Sequence, residues 1–356
     1  MRTKQTLPIQ GFEIESIATP GIFHPVMGQF LLLGSVCLFL PFLASGHMIH
    51  YRSADPSASL LNSQARGPTT SNISDIFVGR CEEHVQCLQQ DQCNTNTTLR
   101  GTCDQLWGTF VDAFAYKDPC QAGNDDYDAV IAAAMPHANK DESLFWSGLP
   151  KLALNNGRVT GRYTILEETL PGYIANGLTW CGQTGAPGIN YNTPCPSAYS
   201  SGCANETMYT FWRAASRAFA RQATGTISVA LDGSRTNPPA FRNTSTFATN
   251  ELPNLNTAAV THVNILLVYD ISVKGDNRRA LCDKGSIKDL QTLLTDRGFT
   301  YTCIEGPRGF KFLQCAGDPD NARCVEACSF AVIPNASIAL VLAASLLIKL
   351  VTGVRN

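Results

Sequence analysis

Thirteen cysteines lie between residues 81 and 328 of this 356-residue chain. Nothing else in the sequence restricts its folding as much. A reducing compartment would leave these thiols as metal ligands or inert core residues. An oxidising one joins them into a covalent framework. Zinc is the competing use for close pairs such as Cys195/Cys203 or Cys324/Cys328. No histidine stands beside them at ligand spacing, so no metal site is expected. Five acceptor sequons, at Asn72, Asn96, Asn205, Asn243 and Asn335, point the same way, because N-glycans are added only to exported chains. The sequence therefore reads as a disulfide-rich ectodomain. Its net charge of −2 and the absence of a polybasic run argue against nucleic acid as a partner.

Both ends of the chain are apolar. Phe30 to Leu43 is short for a membrane span and is broken by Pro41. Ala44-Ser45-Gly46 follows it, a small-x-small pattern suited to signal peptidase. Residues 1–46 are thus expected to be a signal region, with Met27 an alternative start. A type II anchor with Arg2 and Lys4 on the cytoplasmic side is the other reading. Ile338 to Val351 forms a second short apolar tail, with small residues such as Ser329 and Ser337 upstream. Residues 329–356 accordingly read as a GPI-type attachment signal. The expected location is the outer face of the plasma membrane or the lumen of secretory and endocytic vesicles.

Residues 47–75 are rich in Ser, Thr, Asn, Gly and Pro and read as a linker, with folding expected from near Phe77. Cys103, Leu106, Trp107, Phe110 and Phe114 recur at helical spacing. Met208, Phe211, Trp212, Ala215 and Phe219 mark a second helix, from Met208 to about Ala223, ended by Gly225. The pattern then changes. Thr226–Leu231 and Val260–Ile271 read as strands, the second with a continuous apolar middle. Ser286 is expected to cap a helix with Asp289 at its third position, Gly298 to close it, and Phe299–Ile304 to form another strand. Strand, helix, strand implies a right-handed crossover and a parallel sheet. The expected class is α+β or α/β, two-lobed and disulfide-rich. A mostly helical N-terminal lobe would face a C-terminal lobe holding a small parallel sheet flanked by helices. A ligand would sit in the cleft between them.

Four segments carry the chemistry. Ile165–Gly182 holds adjacent acids, Glu167 and Glu168, a Pro171-Gly172 turn, and Trp180-Cys181-Gly182. Leu144-Phe-Trp146-Ser147-Gly148 and Phe211-Trp212-Arg-Ala-Ala-Ser216-Arg217 each present a tryptophan close to a serine. Asp232-Gly-Ser-Arg235 is followed by Ser245-Thr246-Phe247 and then Glu251. Taken singly, each has a plain explanation: buried core indoles, a surface acid pair, a solvated loop acid. Taken together and in order, they resemble the ADP-ribosyl cyclases, a family of NAD-consuming ectoenzymes. The resemblance runs from about Cys81 to Cys324.

The resemblance implies a function and a set of roles. NAD would be converted to cyclic ADP-ribose and nicotinamide, with hydrolysis to ADP-ribose and base exchange of NADP with nicotinic acid to NAADP. A simple NAD glycohydrolase and an inactive cell-surface receptor are the alternatives. Glu251 falls on the catalytic acid, and Glu167 on the acid that contacts nicotinamide and tunes cyclisation against hydrolysis. Trp146, Trp212, Ser147, Ser216, Thr246, Phe247 and Glu168 fall on substrate-binding positions. NAD, NADP and nicotinic acid would be substrates, with no separate cofactor. The membrane would be reached through the lipid anchor, and a homodimer is left open. By the same resemblance, residues 76–139 and 165–222 form the helical lobe, and 140–164 and 223–328 the α/β lobe. The implied bridges join Cys81 to Cys103, Cys120 to Cys203, Cys181 to Cys195, Cys282 to Cys303 and Cys315 to Cys324. A local Cys87–Cys93 bridge is expected beside them, with Cys328 unpaired or intermolecular. The chain departs from relatives at Glu168, often Asp, and at Asn176 and Gly177, where some vertebrate members carry two Asp. His137 and Ala223 replace both halves of an extra vertebrate disulfide. No Gly-x-Gly-x-x-Gly is present, which disfavours redox use of NAD.

Overall fold

The computed structural model describes residues 66–88, 97–123, 125–135, 140–160, 162–183, 185, 188–198 and 203–324. All fall within one compact unit, His50–Ala327. The two apolar ends, Asn96, Asn335, His137 and Cys328 lie outside the described residues, and so does the Cys87–Cys93 pairing.

The first half is helical because its apolar residues recur every three or four positions. Helix α1 (Ile73–Glu83) buries Ile73, Phe77, Val78 and Cys81. Helix α2 (Thr97–Phe114) turns Cys103, Leu106, Phe110 and Phe114 inward. A Cys81–Cys103 disulfide joins the two. Phe110 is the hub of an aromatic cluster, with ring centroids 4.8 Å from Phe77, 5.1 Å from Trp180 and 5.3 Å from Phe114. Such aromatic pairs add about 0.5–1.5 kcal/mol each beyond the area they bury. Helix α3 (Asp128–Ala134) packs Val130, Ile131 and Ala134 into the same core.

Chain entry into this core comes earlier than the composition of residues 47–75 suggests. Thr69 is 2% exposed and donates its hydroxyl to the Cys181 carbonyl. Thr70 accepts from the Thr179 amide at 2.9 Å. Arg66 pairs at 2.6 Å with Glu206, the fully buried N-cap of helix α6 (Thr207–Gln222). Residues 66–75 are therefore part of the fold: polar side chains that read as a linker are spent on buried backbone groups. The Glu206 carboxylate also accepts from Met208 N and Tyr209 N, satisfying two orphan amides at the positive end of the helix dipole.

The sheet has four parallel strands in the order β1 (Leu144–Ser147), β2 (Gly225–Asp232), β3 (Val260–Val268), β4 (Tyr301–Glu305). Registered pairs include Trp146 with Ala230, Leu231 with Leu267 and Ile265 with Cys303. Both faces are covered, which explains the apolar stretches Val229–Leu231 of β2 and Ile265–Val268 of β3. On one face Ile227, Val229 and Leu231 join the main core with Phe219 of α6 and Leu290 of helix α7 (Ser286–Asp296). On the other, Ala230, Leu266 and Val268 pack with Leu154 of helix α4 (Pro150–Thr160) and Phe310 of helix α8 (Arg308–Gly317). The short helix α5 (Leu170–Ala175) follows the acidic turn.

Some boundaries differ from expectation. Strand β1 carries no alternation in its four residues and reads from sequence only as a motif. Strand β3 ends at Val268, because Asp270 and Ile271 turn to meet Ser234 and Gln314. Strand β4 starts at Tyr301 rather than Phe299. Ser286 is the first residue of α7; the cap is Gly285, and the Ser286 hydroxyl accepts from Phe241 N. Gly298 does close α7, at φ 82°. Besides Cys81–Cys103, disulfides link Cys120–Cys203, Cys181–Cys195, Cys282–Cys303 and Cys315–Cys324. Of the acceptor asparagines, Asn72, Asn205 and Asn243 are exposed.

Candidate active site

Four elements bring the acids and indoles together: β1, the loop after β2, α6 and the 3-10 turn that carries Glu167. Strand β1 ends in Trp146 and Ser147, at the carboxyl edge of a parallel sheet, where such sheets hold their ligands. The next strand, β2, runs on through Asp232 into the loop leading to Glu251. Helix α6 runs alongside and carries Trp212 and Ser216 one turn apart.

Glu167 lies in a one-turn 3-10 helix, Leu166–Glu168. It is 8% exposed, and one carboxylate oxygen accepts from Trp146 Nε1 at 3.2 Å. The turn is tight. Thr169 Oγ1 donates to the Leu166 carbonyl at 2.6 Å, and Gly172 of α5 packs so closely that a side chain there would strike Leu166 O. Glu168 does different work. Its carboxylate accepts from Ile165 N and lies over Gly157 of α4, where any Cβ would collide with it. The adjacent acids therefore diverge: Glu167 meets Trp146, while Glu168 braces the turn.

Glu251 ends a π-helical turn, Phe247–Glu251, that runs into a 3-10 turn, Leu252–Asn254. It is 8% exposed and accepts a hydrogen bond from Ser216, itself 3% exposed. Wide turns of this kind commonly occur at functional sites. This one is pinned to α6 by side chains that no motif marks. Arg213 Nε donates to Asn250 Oδ1 at 3.4 Å, Arg221 Nε to Asn254 Oδ1 at 3.1 Å, and Asn254 Nδ2 to the Asn250 carbonyl at 2.8 Å. Ser245 Oγ accepts from Ala248 N and donates to the Arg242 carbonyl.

The remaining expected contacts divide. Trp212 is half-buried, edge-on to Phe211 at 5.4 Å. Thr246 is exposed at the start of the π-helical turn, and Ser147 is half-buried. Phe247 is 1% exposed with its ring 5.8 Å from Phe145, so its side chain serves the core. The Asp232-Gly-Ser-Arg235 segment closes over the end of β1: Arg235 Nη1 would lie 2.6 Å from a Cβ at Gly148, whose φ of 80° a larger residue would not readily adopt.

The electrostatics follow from this burial. Loss of water pushes the Glu251 carboxyl from 4.5 up to about 8; the Ser216 hydrogen bond opposes the rise and the Glu167 charge adds to it. Glu167 is also raised, first by burial, against its own backbone N–H and the Trp146 indole. Two dehydrated carboxyls with aromatic neighbours, neither paired with a cation among the described residues, form a site that favours a positive charge. Among the described residues no group of three His, Cys, Asp or Glu could hold a metal ion, and no helix is long and apolar enough to cross a membrane.

A family model described as ADP-ribosyl cyclase matches residues 70–324. The chain belongs to the ADP-ribosyl cyclase family. Its similarity to an ADP-ribosyl cyclase/cyclic ADP-ribose hydrolase of Aplysia californica is 34% identity over 266 residues, covering 75% of this chain and 90% of that one. A mouse ADP-ribosyl cyclase/cyclic ADP-ribose hydrolase 1 is 32% identical over 257 residues, covering 72% and 80%. Among solved structures, Aplysia cyclase complexed with substrate NGD and product cGDPR is similar at a TM-score of 0.64 and 32% identity, over 73% of this chain and 99% of that one. Porcine CD38 with a covalent intermediate, ribo-F-ribose-5'-phosphate, is similar at 0.59 and 30% identity, over 68% and 98%. Within this cyclase, the acid-pair, tryptophan and distal-Glu motifs converge through Trp146–Glu167, Ser216–Glu251 and the charge coupling of the two acids.

Proposed function

We propose that this chain cleaves NAD between nicotinamide and ribose and passes the ribosyl group to either of two acceptors. NAD presents a cationic ring on the anomeric carbon. When that carbon–nitrogen bond breaks, its electron pair leaves with neutral nicotinamide, and the positive charge moves to the ribose. A carboxylate already stripped of water stabilises that charge far better than a hydrated one. Glu251 takes this role; a similar protein, porcine CD38, is described with a covalent intermediate, ribo-F-ribose-5'-phosphate, which supports a ribosyl group held on the enzyme before the acceptor arrives. Glu167, oriented by Trp146, hydrogen-bonds the nicotinamide amide. Trp146 and Trp212 hold the ring by their faces and exclude water. Ser147 and Ser216 lie where the phosphates and ribose pass, Ser216 already on Glu251. Thr246 and the backbone at Phe247 border the same space.

The fate of the ribosyl group depends on the nucleophile that reaches it. Adenine N1, folded back, gives cyclic ADP-ribose; water gives ADP-ribose. A small, exposed Thr246 leaves room for both, so mixed products are expected. Nicotinic acid attacking the intermediate from NADP gives NAADP by the same step. Exposed Asn72, Asn205 and Asn243 suit glycosylation outside the cell, and the apolar C-terminal tail suits a lipid anchor. The observation that carries the activity is the buried Glu251 carboxyl, hydrogen-bonded to Ser216 and electrically coupled to Glu167. Chromatography of products from NAD, and from NADP with nicotinic acid, tests it. Nicotinamide with cyclic and linear ADP-ribose is the expected outcome. Purely linear product would remove the cyclase half, and unchanged NAD would remove the whole proposal.

A further inference from the structure

The imidazole of His84 takes no part in bond cleavage, yet it is buried against the turn that carries Glu167. It is 4% exposed, where α1 runs into a π-helical turn, His84–Leu88. Its Nε2 lies 2.8 Å from the carbonyl oxygen of Glu168. A carbonyl oxygen can only accept, so Nε2 carries the proton and Nδ1 is a bare acceptor. Nδ1 is buried and has no hydrogen-bond partner among the described residues. The polar groups around it are directed elsewhere. Tyr173, whose ring lies 5.4 Å from the imidazole, donates its hydroxyl to Glu83 at 2.7 Å. Arg80 donates to the carbonyls of Ile174 and Asn176 at 3.2 and 2.6 Å. The Glu168 carboxylate accepts from Ile165 N.

A buried ring nitrogen without a donor costs stability, and an apolar side chain of similar size would avoid that cost. Histidine gives one thing in exchange, a donor to the acidic turn from a different segment of the chain. That segment is tied to its neighbours: α1 is bonded to α2 by Cys81–Cys103 and to the end of α5 by Arg80. We propose that His84 is a positioning residue for the reaction: by pinning the Glu168 carbonyl to this frame, it holds the Glu167 carboxylate on Trp146. It touches no substrate and acts through Glu167, so the inference rests on the reading of this site as an NAD-cleaving centre.

A structural role and a positioning role are separated by product partition and by coupling to Glu167. His84→Phe keeps the ring and its packing and removes the donor. His84→Gln restores a neutral N–H within reach of the same carbonyl. The expected result is that His84→Phe lowers kcat about 3- to 10-fold, the worth of one neutral hydrogen bond, and shifts the ratio of cyclic to linear ADP-ribose in the same direction as Glu167→Gln. In the double variant His84→Phe/Glu167→Gln the His84 change should add nothing, because its effect runs through the side chain already altered. His84→Gln should return kcat and ratio to within about twofold of the parent protein, on the same hydrogen-bond estimate. A folded His84→Phe protein with parental kcat and product ratio overturns the inference, and so does an effect that adds fully to Glu167→Gln. Parent protein that leaves NAD intact overturns the functional reading itself, which a normal parent with an unaffected His84→Phe variant does not.

Discussion

Replacing Glu251 by Gln should destroy turnover and make the protein more stable, by an amount that grows with pH. The carboxyl ionises near pH 8 in the folded protein against an ordinary 4.5. Its folded-state value is raised, so the folded state keeps a proton that the unfolded chain has lost. The contribution to stability is intact below about pH 4.5, declines as pH rises, and is fully lost above about pH 8. At about 1.36 kcal/mol per pH unit, the penalty carried by the native acid is about 3 kcal/mol at pH 7 and about 5 kcal/mol at pH 9. Glutamine has the same shape, accepts the Ser216 hydrogen bond and carries no charge, so it removes this penalty. At roughly 2–4 °C per kcal/mol for a domain of this size, the melting temperature should rise by roughly 6–12 °C at pH 7 and not at all near pH 4. Paired urea titrations of parent and variant at pH 4.5, 7 and 9 measure it, with disulfides intact. Glu167 titrates in both proteins and largely cancels in the difference. A stability difference that is flat with pH, or that favours the acid at pH 9, would refute the dehydrated-carboxyl picture.

The pH dependence of kcat/KM should show the same group, rising through about pH 8 as Glu251 ionises in the unliganded protein. Glu167→Gln removes the neighbouring charge that raises Glu251, so the rising limb should move to lower pH; an unmoved limb would mean the two acids are not coupled. Arg66→Ala should cost about 3–5 kcal/mol in denaturant titration, because it leaves the fully buried Glu206 carboxylate without its ion-pair partner. A loss below about 1 kcal/mol, the range of surface pairs, would show that residue 66 is not part of the folded unit. Gly172→Ala forces a Cβ to within 2.7 Å of Glu167 Cα and against Leu166 O, so it should cost about 1–3 kcal/mol and displace the acidic turn. Near-parental turnover in that variant would contradict the tight packing described for the turn.

The parts of this fold that were legible in sequence are those in which a side chain acts through its periodicity or its neighbours. The stripes of α2 and α6 and the apolar middle of β3 gave helices and a buried strand. Strand β1 did not show, since four residues inside a sheet carry no measurable period. Residues 66–75 looked like linker because composition cannot tell a solvated threonine from Thr69 and Thr70, which spend their hydroxyls on the backbone beside the Cys181–Cys195 bridge. In the site, Glu251, Glu167, Trp146 and Ser216 could be picked out by resemblance, and the structure brings them together. Glu168, picked out by the same resemblance, has its carboxylate on Ile165 N and not beside Glu167, because one residue along a 3-10 turn rotates a side chain by about 120°. Phe247, picked out in the same way, gives its ring to the core. Arg213, Asn250, Arg221, Asn254 and His84 had no signal at all: each acts on a partner dozens of residues away, through a backbone carbonyl or an amide.

The decisive measurement is the turnover of Glu251→Gln on NAD at saturating substrate, alongside equilibrium binding of NAD to the same protein. If a dehydrated Glu251 carboxylate stabilises the departing charge, kcat should fall by at least about a hundredfold, as for loss of a principal electrostatic group, while NAD still binds. A variant that folds, binds NAD and turns it over at close to the parental rate would show that the bond is broken by other means.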